Sequence, residues 1–556
     1  MKDDALTAPP PTEDGFTPWP DDLARRYRQE GWWAGLSLGD LPRRWAARSG
    51  DREALADVHE RLSYRDFADQ VDRFAVGLAD LGLAPGDSVV CQLPNRVAAL
   101  TFTFACYRVG VRPVLALPAH REREIDHMVG LTGARALVVP DDARDVDHVD
   151  LSATIRKNHP GVAHIITVGE PRAADHIRLA DLPAPTLLDA DRARLEALRP
   201  HPESVALFLL SGGTTGLPKL IPRTHNDYHL NFRLAAKRAK FDASTRYMAV
   251  LPIGHNFPYG TPGVLGALEK GGFGFIARSP NPALALPLIA AERLTATAVV
   301  PAVAITWMDR VQDPDFPAVD LSTLDLLEVG GARLQPEAAR RVGPVLGCRL
   351  QQSFGMAEGL LNCTRLDDPE EEIVGTQGRP MTTADEIRIV DADGHDVPDG
   401  EPGELITRGP YTLRGYYRAP EHNARAFTPD GFYRTGDIVR RRPGTGNLVV
   451  EGRAKDLINR GGEKISAEEI EDVLLAHPAV LNAAAVSKPH EVLGEEVAAF
   501  VVLRAGRSLA LAEVQAHFDA RKVARFKWPV YLEALPELPV TKVGKIDKVA
   551  LRQRFG

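Results

Sequence analysis

The sequence predicts an α/β protein: a large multi-subdomain N-terminal domain, made of layered α/β sheets plus a small β-rich subdomain, and a small α+β C-terminal domain. Two observations favour this fold class. Apolar runs of four to eight residues alternate with longer charged stretches, as buried parallel strands alternate with covering helices. The length of 556 residues also exceeds one domain, since domains average roughly 100–200 residues.

Individual elements follow from the same pattern. The apolar runs predicted as strands are residues 88–92, 136–139, 164–168, 204–210, 297–300 and 324–329. Residues 64–81 and 336–342 have the spacing of helices. Turn dipeptides such as Asp393-Gly394 and Asp430-Gly431 become frequent from about residue 385, which predicts the β-rich subdomain. A domain boundary is expected at 452–456, giving an N-terminal domain of 1–452 and a C-terminal domain of 453–556.

Composition and charge exclude several classes of protein. With 75 acidic and 67 basic residues the formal charge is −8, so the chain has no overall positive field to attract nucleic acid or an anionic membrane. The sequence has no apolar run long enough to span a bilayer, and its acidic, proline-rich start is unlike a secretory signal. The four cysteines have no CxxC spacing, which favours a reducing cytoplasm.

A glycine-rich segment after the strand predicted at 204–210 indicates a phosphate-binding loop. Glycines allow successive backbone N–H groups to face one anion, and hydroxyl side chains add donors. It differs from the GxxxxGK[ST] loop because the lysine does not directly follow the last glycine. A plain flexible loop is the alternative. The expected phosphate-binding residues are Ser211, Gly212, Gly213, Thr214, Thr215, Gly216 and Lys219.

This segment, Ser-Gly-Gly-Thr-Thr-Gly-Leu-Pro-Lys, resembles the signature of the adenylate-forming superfamily, and the other superfamily motifs follow in order. Residues 352–358, Gln-Ser-Phe-Gly-Met-Ala-Glu, resemble the aromatic-Gly-x-Thr-Glu segment, with Ala357 where threonine is usual. Residues 403–405 (Gly-Glu-Leu), 433–437 (Tyr-Arg-Thr-Gly-Asp), 452–456 (Gly-Arg-Ala-Lys-Asp) and 539–545 (Pro-Val-Thr-Lys-Val-Gly-Lys) complete the set. The resemblance implies an ATP-dependent ligase with ATP and Mg²⁺ as cofactors.

The resemblance assigns roles to individual residues. Lys545, Glu358 and Thr214 are the expected catalytic residues, with Glu358 as the ligand of Mg²⁺, which prefers carboxylate oxygen. Asp437 is expected to accept the ribose hydroxyls and Arg453 to reach the ribose or phosphate. Further expected nucleotide contacts are Gly330, Gly331, Ala332, Ser353, Phe354 (the stacking ring), Gly355, Met356 and Ala357.

Lys455 occupies the position of the family's hinge. Rotation there would make the C-terminal domain mobile, withdrawing Lys545 and bringing residues 461–462 toward the active site, so that two half-reactions share one site.

The acid-binding segment, residues 254–261, resembles that of stand-alone aryl-acid AMP ligases of siderophore and related nonribosomal peptide biosynthesis. Asn256 replaces the aspartate that pairs with the ammonium of amino acids, so the substrate should lack an α-amine. Thr261 and Leu361 are larger than the serine and valine of dihydroxybenzoate enzymes. This favours salicylate or a substituted salicylate over 2,3-dihydroxybenzoate. The expected acid contacts are His255, Asn256, Phe257, Thr261, Gly331, Leu361 and Lys545.

Three alternatives remain for the overall activity. The expected enzyme transfers the aryl group to the phosphopantetheine thiol of an aryl carrier protein supplied in trans, because no carrier domain follows Lys545. An aryl-CoA ligase is the second possibility. The third is a non-catalytic nucleotide-binding regulator, which the presence of Lys545, Glu358 and Asp437 disfavours. The departures at Ser353 and Ala357 have no interpretation from sequence.

Overall fold

The computed structural model describes residues 13–140, 147–211, 217–453, 456–460, 463–490, 493–521, 523, 525–541 and 545–555. Within these residues the strands form four sheets. In chain order the strands are β1 (Glu53–Ala56), β2 (Arg61–Ser63), β3 (Ser88–Gln92), β4 (Arg112–Ala116), β5 (Ala136–Pro140), β6 (His164–Val168), β7 (Ile177–Arg178), β8 (Val205–Leu210), β9 (Leu220–Thr224), β10 (Arg246–Ala249), β11 (Phe273–Ile276), β12 (Ala296–Val299), β13 (Leu326–Gly330), β14 (Arg349–Gly355), β15 (Leu361–Cys363), β16 (Arg379–Pro380), β17 (Glu386–Val390), β18 (Pro402–Arg408), β19 (Tyr433–Arg441), β20 (Leu448–Arg453), β21 (Ile458–Arg460), β22 (Glu463–Ile465), β23 (Val480–His490), β24 (Gly494–Leu503) and β25 (Tyr531–Ala534).

The helices connect and cover these strands. Two of the helices beside the large sheets begin with capping boxes, in which Ser63 and Asp66 start one and Thr224 and Asp227 the other. In chain order the helices are α1 (Asp21–Gln29), α2 (Leu41–Ser49), α3 (Tyr64–Asp80), α4 (Val97–Arg108), α5 (Glu122–Thr132), α6 (His148–Asn158), α7 (Asp189–Ala197), α8 (His225–Arg238), α9 (Asn256–Gly260), α10 (Gly263–Glu269), α11 (Pro282–Ala291), α12 (Pro301–Val311), α13 (Pro336–Leu346), α14 (Glu370–Gly375), α15 (Pro420–Ala426), α16 (Ala467–Leu475), α17 (Leu511–Ala520) and α18 (Lys548–Arg552).

Two large, mostly parallel sheets form the N-terminal body. The seven-stranded sheet has the order β7-β6-β5-β3-β4-β8-β9, and the nine-stranded sheet has the order β16-β15-β14-β13-β12-β10-β11-β1-β2. Central strands such as β3, β5 and β13 are buried on both faces, as expected for parallel strands between helices. The largest apolar cluster joins residues of both sheets to residues of α3, α4, α8 and α10, so these helices lie between the layers.

Two smaller sheets follow the body along the chain. Strands β17-β18-β19-β20 form an antiparallel sheet that is packed around a separate apolar cluster containing Leu405, Val439 and Leu448. The last sheet, β22-β21-β24-β23 with β25 beside β24, is covered by α16 and α17. The predicted β-rich subdomain and α+β C-terminal unit are both present.

The predicted elements are confirmed with small shifts at their ends. The strand at 324–329 is displaced to β13, and the helix at 336–342 extends to Leu346 as α13. This helix continues through Pro344 because Val342 and Leu346 are buried and anchor both sides of it. It ends at Gly347, whose φ of 74° requires glycine.

The four cysteines, Cys91, Cys106, Cys348 and Cys363, are free thiols inside the body, and all are buried. Burial raises the pKa of Cys348 to about 12 and that of Cys363 to about 11. Among the residues described, no helix combines the length and the apolar character needed to cross a lipid bilayer.

Candidate active site

The candidate site lies at the carboxyl ends of parallel strands in both large sheets. Ser211 follows β8, His255 and α9 follow β10, Gly331 follows β13, and the segment to Glu358 follows β14. In open α/β sheets this edge is where ligands bind, because loops at one end of parallel strands converge there. These four segments, spread over residues 211–358, are therefore brought to one region.

The neck of the glycine-rich loop is closed by two hydrogen bonds between Ser211 and Lys219. The backbone N–H of Ser211 donates to the carbonyl of Lys219 at 3.0 Å, and the N–H of Lys219 donates to Ser211 Oγ at 3.0 Å. The antiparallel pair β8 and β9 holds both ends. Ser211 and Lys219 thus close the end of the β8–β9 pair. Gly212, Gly213, Thr214, Thr215 and Gly216 lie outside the described residues, and their roles stay predictions.

A tyrosine joins the loop lysine to the predicted metal ligand. The hydroxyl of Tyr416 donates to Glu358 Oε1 at 2.7 Å and pairs with the hydroxyl of Tyr433 at 2.8 Å. Lys219 Nζ lies 5.5 Å from the centroid of the Tyr416 ring, within cation–π range. Burial and then the charge of Glu358 raise the pKa of Tyr416, so its hydroxyl stays protonated and remains a donor.

Glu358 is itself buried, and its backbone is anchored on both sides. Its carbonyl accepts from the N–H of Leu413 at 2.8 Å, and the carbonyl of Ala357 accepts from Arg223 Nη1 at 2.9 Å. Arg223 is fully buried and pairs with Asp227 at 2.6 Å. A buried carboxylate held at this edge fits the oxygen donor that Mg²⁺ requires.

The acid-binding segment forms the short helix α9, which His255 caps by accepting the N–H of Phe257 at Nδ1, 3.3 Å away. Asn256 is buried and hydrogen-bonded on both sides of its amide. Its Oδ1 accepts from the Tyr228 hydroxyl at 2.8 Å, and its Nδ2 donates to Thr261 Oγ1 at 3.2 Å. The bond from Tyr228 orients the amide, so its N–H group faces Thr261.

Phe257 and Gly330 meet across the pocket. A Cβ at Gly330 would lie 3.0 Å from Cζ of Phe257, so only glycine leaves room for this ring. Leu361 on β15 pairs in register with Gly355, and its Cδ2 would lie 2.5 Å from a Cβ there. Ser353, which stands opposite Gly330 in β14, is buried.

Lys545 of the C-terminal unit reaches this pocket. Its Cε lies 3.8 Å from the position that a Cβ on Gly331 would occupy. Burial and then the charge of Lys545 lower the pKa of His255 to about 4, so this histidine is neutral at physiological pH. The backbone N–H of Lys545 donates to Thr541 Oγ1 at 3.2 Å, which closes the loop that carries the lysine.

Two of the remaining predicted nucleotide residues, Asp437 and Arg453, lie on the neighbouring strands β19 and β20 of the β-rich sheet. Asp437 is buried, and its N–H donates to Thr435 Oγ1 at 3.0 Å. It pairs in register with Arg453, whose side chain lies outside the described part of the chain. Phe354 packs against the apolar cluster of this sheet together with Met356. The predicted hinge Lys455 also lies outside the described residues.

Sequence reasoning did not find Tyr416, Tyr228 and Arg223. The first contacts Glu358 from 58 residues away, and no spacing rule links the two. Tyr228 and Arg223 act through Asn256 and Ala357. For Arg223 a signal in the sequence was Asp227, four residues later, which both pairs with the arginine and caps the helix that begins at His225.

Comparison with known proteins identifies the class. A model of the AMP-binding enzyme family matches residues 42–417, and one of the AMP-binding enzyme C-terminal domain matches residues 469–545. The chain belongs to the AMP-binding enzyme family, whose members form acyl adenylates. The adenylate-forming fold and ligase class predicted from the motifs are confirmed.

Several relatives match over nearly the whole chain. A salicylyl-CoA synthase / salicylate adenylyltransferase of Streptomyces sp is 52% identical over 97% of this chain and 98% of the relative. A 2,3-dihydroxybenzoate-AMP ligase of Bacillus subtilis is 48% identical, with 97% of each chain covered. A salicyl-AMP ligase / salicyl-S-ArCP synthetase of Mycobacterium tuberculosis is 45% identical over 98% of this chain and 95% of the relative. The apo structure of Mycobacterium smegmatis MbtA matches with a TM-score of 0.73 and 43% identity over 99% of both chains.

Proposed function

We propose that this protein is an aryl-acid AMP ligase that activates salicylate or a substituted salicylate and then transfers the aryl group to a thiol. The observation that carries the proposal is the neutral pocket around Asn256, which Tyr228 and Thr261 hold by hydrogen bonds. An amide there offers N–H to a carboxylate or hydroxyl oxygen and gives no counter-charge to an ammonium. Salicylate-activating relatives support the same choice.

In the first half-reaction a carboxylate oxygen of the aryl acid attacks the α-phosphorus of ATP, and the bond from that phosphorus to pyrophosphate breaks. Lys545, beside Gly331 at the mouth of the pocket, supplies positive charge to the acid and the α-phosphate. The backbone N–H groups of the glycine-rich loop and Lys219 bind the departing pyrophosphate. Asp437 holds the ribose, and His255 stays neutral beside the incoming carboxylate.

The residues around Glu358 fit a magnesium ion. Bound Mg²⁺ supplies charge neutralisation on the phosphate oxygens. Tyr416 donates to one carboxylate oxygen of Glu358 and so fixes the direction of the other. The surrounding bonds to Ala357 and Leu413 hold the backbone in place, which keeps the carboxylate preorganised.

The second half-reaction uses a phosphopantetheine thiol. The thiol sulfur attacks the acyl carbon, and AMP leaves. A carrier protein acting in trans is the proposed acceptor, supported by the relative named for salicyl-S-ArCP synthesis. Coenzyme A is the second candidate, because another relative is named a salicylyl-CoA synthase.

We assign the N-terminal domain to 1–452, the C-terminal domain to 453–556 and the hinge to Lys455, and we expect a cytoplasmic enzyme.

The test is ATP–pyrophosphate exchange with a panel of salicylate, 2,3-dihydroxybenzoate, benzoate and amino acids. We expect exchange with salicylate and none with amino acids. Exchange that prefers amino acids would contradict the assignment of the pocket. Thioester formation is then measured with a purified aryl carrier protein and with coenzyme A, and a preference for coenzyme A would select the second candidate.

A further inference from the structure

The loop that holds Glu358 in place has no regular secondary structure of its own. Residues 409–418 run irregularly from the end of β18 toward α15. The loop carries Tyr416, which donates to the Glu358 carboxylate, and Leu413, whose N–H donates to the Glu358 carbonyl. A segment without a helix or a strand ladder takes its shape from contacts with other parts of the chain. Those contacts therefore decide where Tyr416 and Leu413 lie.

The N-terminal segment, residues 13–33, is hydrogen-bonded to the start of this loop through two tryptophans. Trp19 Nε1 donates to the carbonyl of Gly409 at 3.1 Å. Trp33 Nε1 donates to the carbonyl of Pro410 at 2.8 Å. Both tryptophans are buried, so removing either donor takes away a bond that water cannot easily replace.

The same segment holds the far end of the loop. The N–H of Arg418 donates to the carbonyl of Gly15 at 3.0 Å, and the Arg418 side chain pairs with Asp14 at 2.7 Å. Gly15 has a φ of 82°, and a Cβ there would lie 2.3 Å from Cγ of Arg418, so this contact requires glycine. The segment is also attached to the body, because the Glu13 carboxylate accepts from the N–H of Val205 at the start of β8, 2.8 Å away. One anchored segment therefore fixes both ends of the loop.

Aromatic rings of the N-terminal segment pack behind the loop. The ring of Trp33 lies 5.3 Å from that of Trp19, edge to face, and 5.4 Å from that of Tyr27. All three belong to an apolar cluster that also contains Tyr411 of the loop. The segment precedes residue 42, where the match to the AMP-binding family model begins, so this support for the loop lies outside the matched region.

We propose that Trp33 and Trp19 are positioning residues for the magnesium site. They fix the loop, and through Tyr416 and Leu413 the loop fixes the orientation of Glu358. The inference rests on the proposed function, in which Glu358 is the ligand of Mg²⁺. Partners that orient a ligand tune the affinity for the metal although they do not touch it.

The main variant is Trp33→Phe, which removes the N–H donor and keeps an aromatic ring. In ATP–pyrophosphate exchange we expect the half-maximal concentration of Mg²⁺ to rise about three- to tenfold, as loss of one hydrogen bond gives, with the KM for salicylate unchanged. In the metal-free protein, amide hydrogen exchange followed by mass spectrometry should become faster in the peptide spanning residues 409–418. The second measurement requires neither metal nor activity.

Trp307→Phe is the matched control. Trp307 is also buried, and its Nε1 donates to the carbonyl of Pro280 at the same distance of 2.8 Å, but it packs in a different apolar cluster. Its replacement should lower the unfolding midpoint and leave both measurements at their native values. A double variant, Trp33→Phe with Tyr416→Phe, tests the route: the effect of Trp33→Phe on the requirement for Mg²⁺ should be smaller when the Tyr416 hydroxyl is already absent.

If Trp33→Phe does not fold, Trp19→Phe takes its place with the same expected shifts, because its bond to Gly409 supports the same end of the loop. The inference is wrong if the folded variant keeps either the native requirement for Mg²⁺ or the native hydrogen exchange of residues 409–418. It is also wrong if Trp307→Phe shifts both equally, or if the two effects in the double variant are fully additive. A native enzyme that shows no exchange with any aryl acid would instead overturn the proposed function.

Discussion

The acid pocket differs in its contacts from the surface where the body meets the C-terminal unit. We call that surface the seam and define it by the pairs Arg333–Asp472 and Asp309–Arg504. The pocket joins neutral, buried groups, such as the amide of Asn256 bonded to Tyr228. The seam joins charges: Arg333 pairs with Asp472 at 3.3 Å, and Arg504 lies 3.8 Å from Asp309. When an ion pair separates, water solvates both charges and offsets the lost attraction, whereas exposing apolar surface to water costs free energy. From this difference we expect a pocket that stays fixed and a seam that can open.

Near the seam, three acidic side chains, Glu468, Glu471 and Asp472, lie beside two basic ones, Arg333 and Lys548. Burial and then the charge of Glu471 raise the pKa of Glu468 to about 8. Burial, partly offset by Arg333, raises the pKa of Asp472 to about 7. Lys548 compensates one member of the group by pairing with Glu471 at 2.7 Å. The closed seam is therefore sensitive to protonation in a way that the neutral pocket is not.

Lys545→Ala should have the largest effect, because Lys545 is the group that crosses the seam into the pocket. Loss of one preorganised charge at a transition state costs about 10²–10³ in rate. We expect that loss in ATP–pyrophosphate exchange, while transfer from pre-formed aryl-AMP to the thiol is retained. Lys488→Ala, on β23 of the same unit, is the control. Exchange that survives Lys545→Ala would contradict the mechanism.

Asn256→Asp tests the neutrality of the pocket. The new carboxylate would be buried where Tyr228 and Thr261 now hold a neutral amide, and it would repel the carboxylate of the substrate. We expect kcat/KM for salicylate to fall by about 10²-fold, in line with loss of a buried polar match. The unfolding midpoint, measured by calorimetry, reports any separate loss of stability. Asn482→Asp on β23 is the control, and equal activity in both variants would refute the assignment.

Tyr416→Phe should have a smaller effect, of about tenfold on kcat, because it removes one hydrogen bond to Glu358 and leaves the carboxylate in place. The concentration of Mg²⁺ that gives half-maximal exchange should rise, since the carboxylate is less well oriented. Tyr417→Phe is the control, because Tyr417 is adjacent but packs in a different apolar cluster. An unchanged requirement for Mg²⁺ would contradict the role given to Tyr416.

The smallest effect concerns the pH dependence of the seam. Glu468 and Asp472 have raised pKa values in the closed arrangement, so the closed form holds protons that the open form releases. The stabilisation of the closed form by these two protonated groups is fully present below their ordinary pKa values, 4.5 for Glu468 and 3.8 for Asp472. It is lost as the pH rises through the raised pKa values, about 7 for Asp472 and about 8 for Glu468. Fluorescence energy transfer between dyes on the two units should report opening from pH 6 to 9. Glu468→Gln should reduce that change, and a pH-independent distance in the native protein would contradict it.

Much of the fold could be predicted, because strand and helix periodicity is local and the glycine-rich loop follows directly from the strand before it. The pairing of Glu358 with Tyr416 could not, since it depends on how the segment after β18 crosses the body. Local chemistry is predictable, and long-range contact is not.

The burial of all four cysteines has a practical consequence for following the two units in solution. Thiol reagents act on accessible thiolates, and these thiols are enclosed with pKa values raised by burial. A cysteine introduced on the surface of each unit would therefore be the reactive thiol there, and the native cysteines need no removal. Probes for fluorescence or electron paramagnetic resonance can be attached to an otherwise unaltered enzyme, so the seam can be watched while catalysis proceeds.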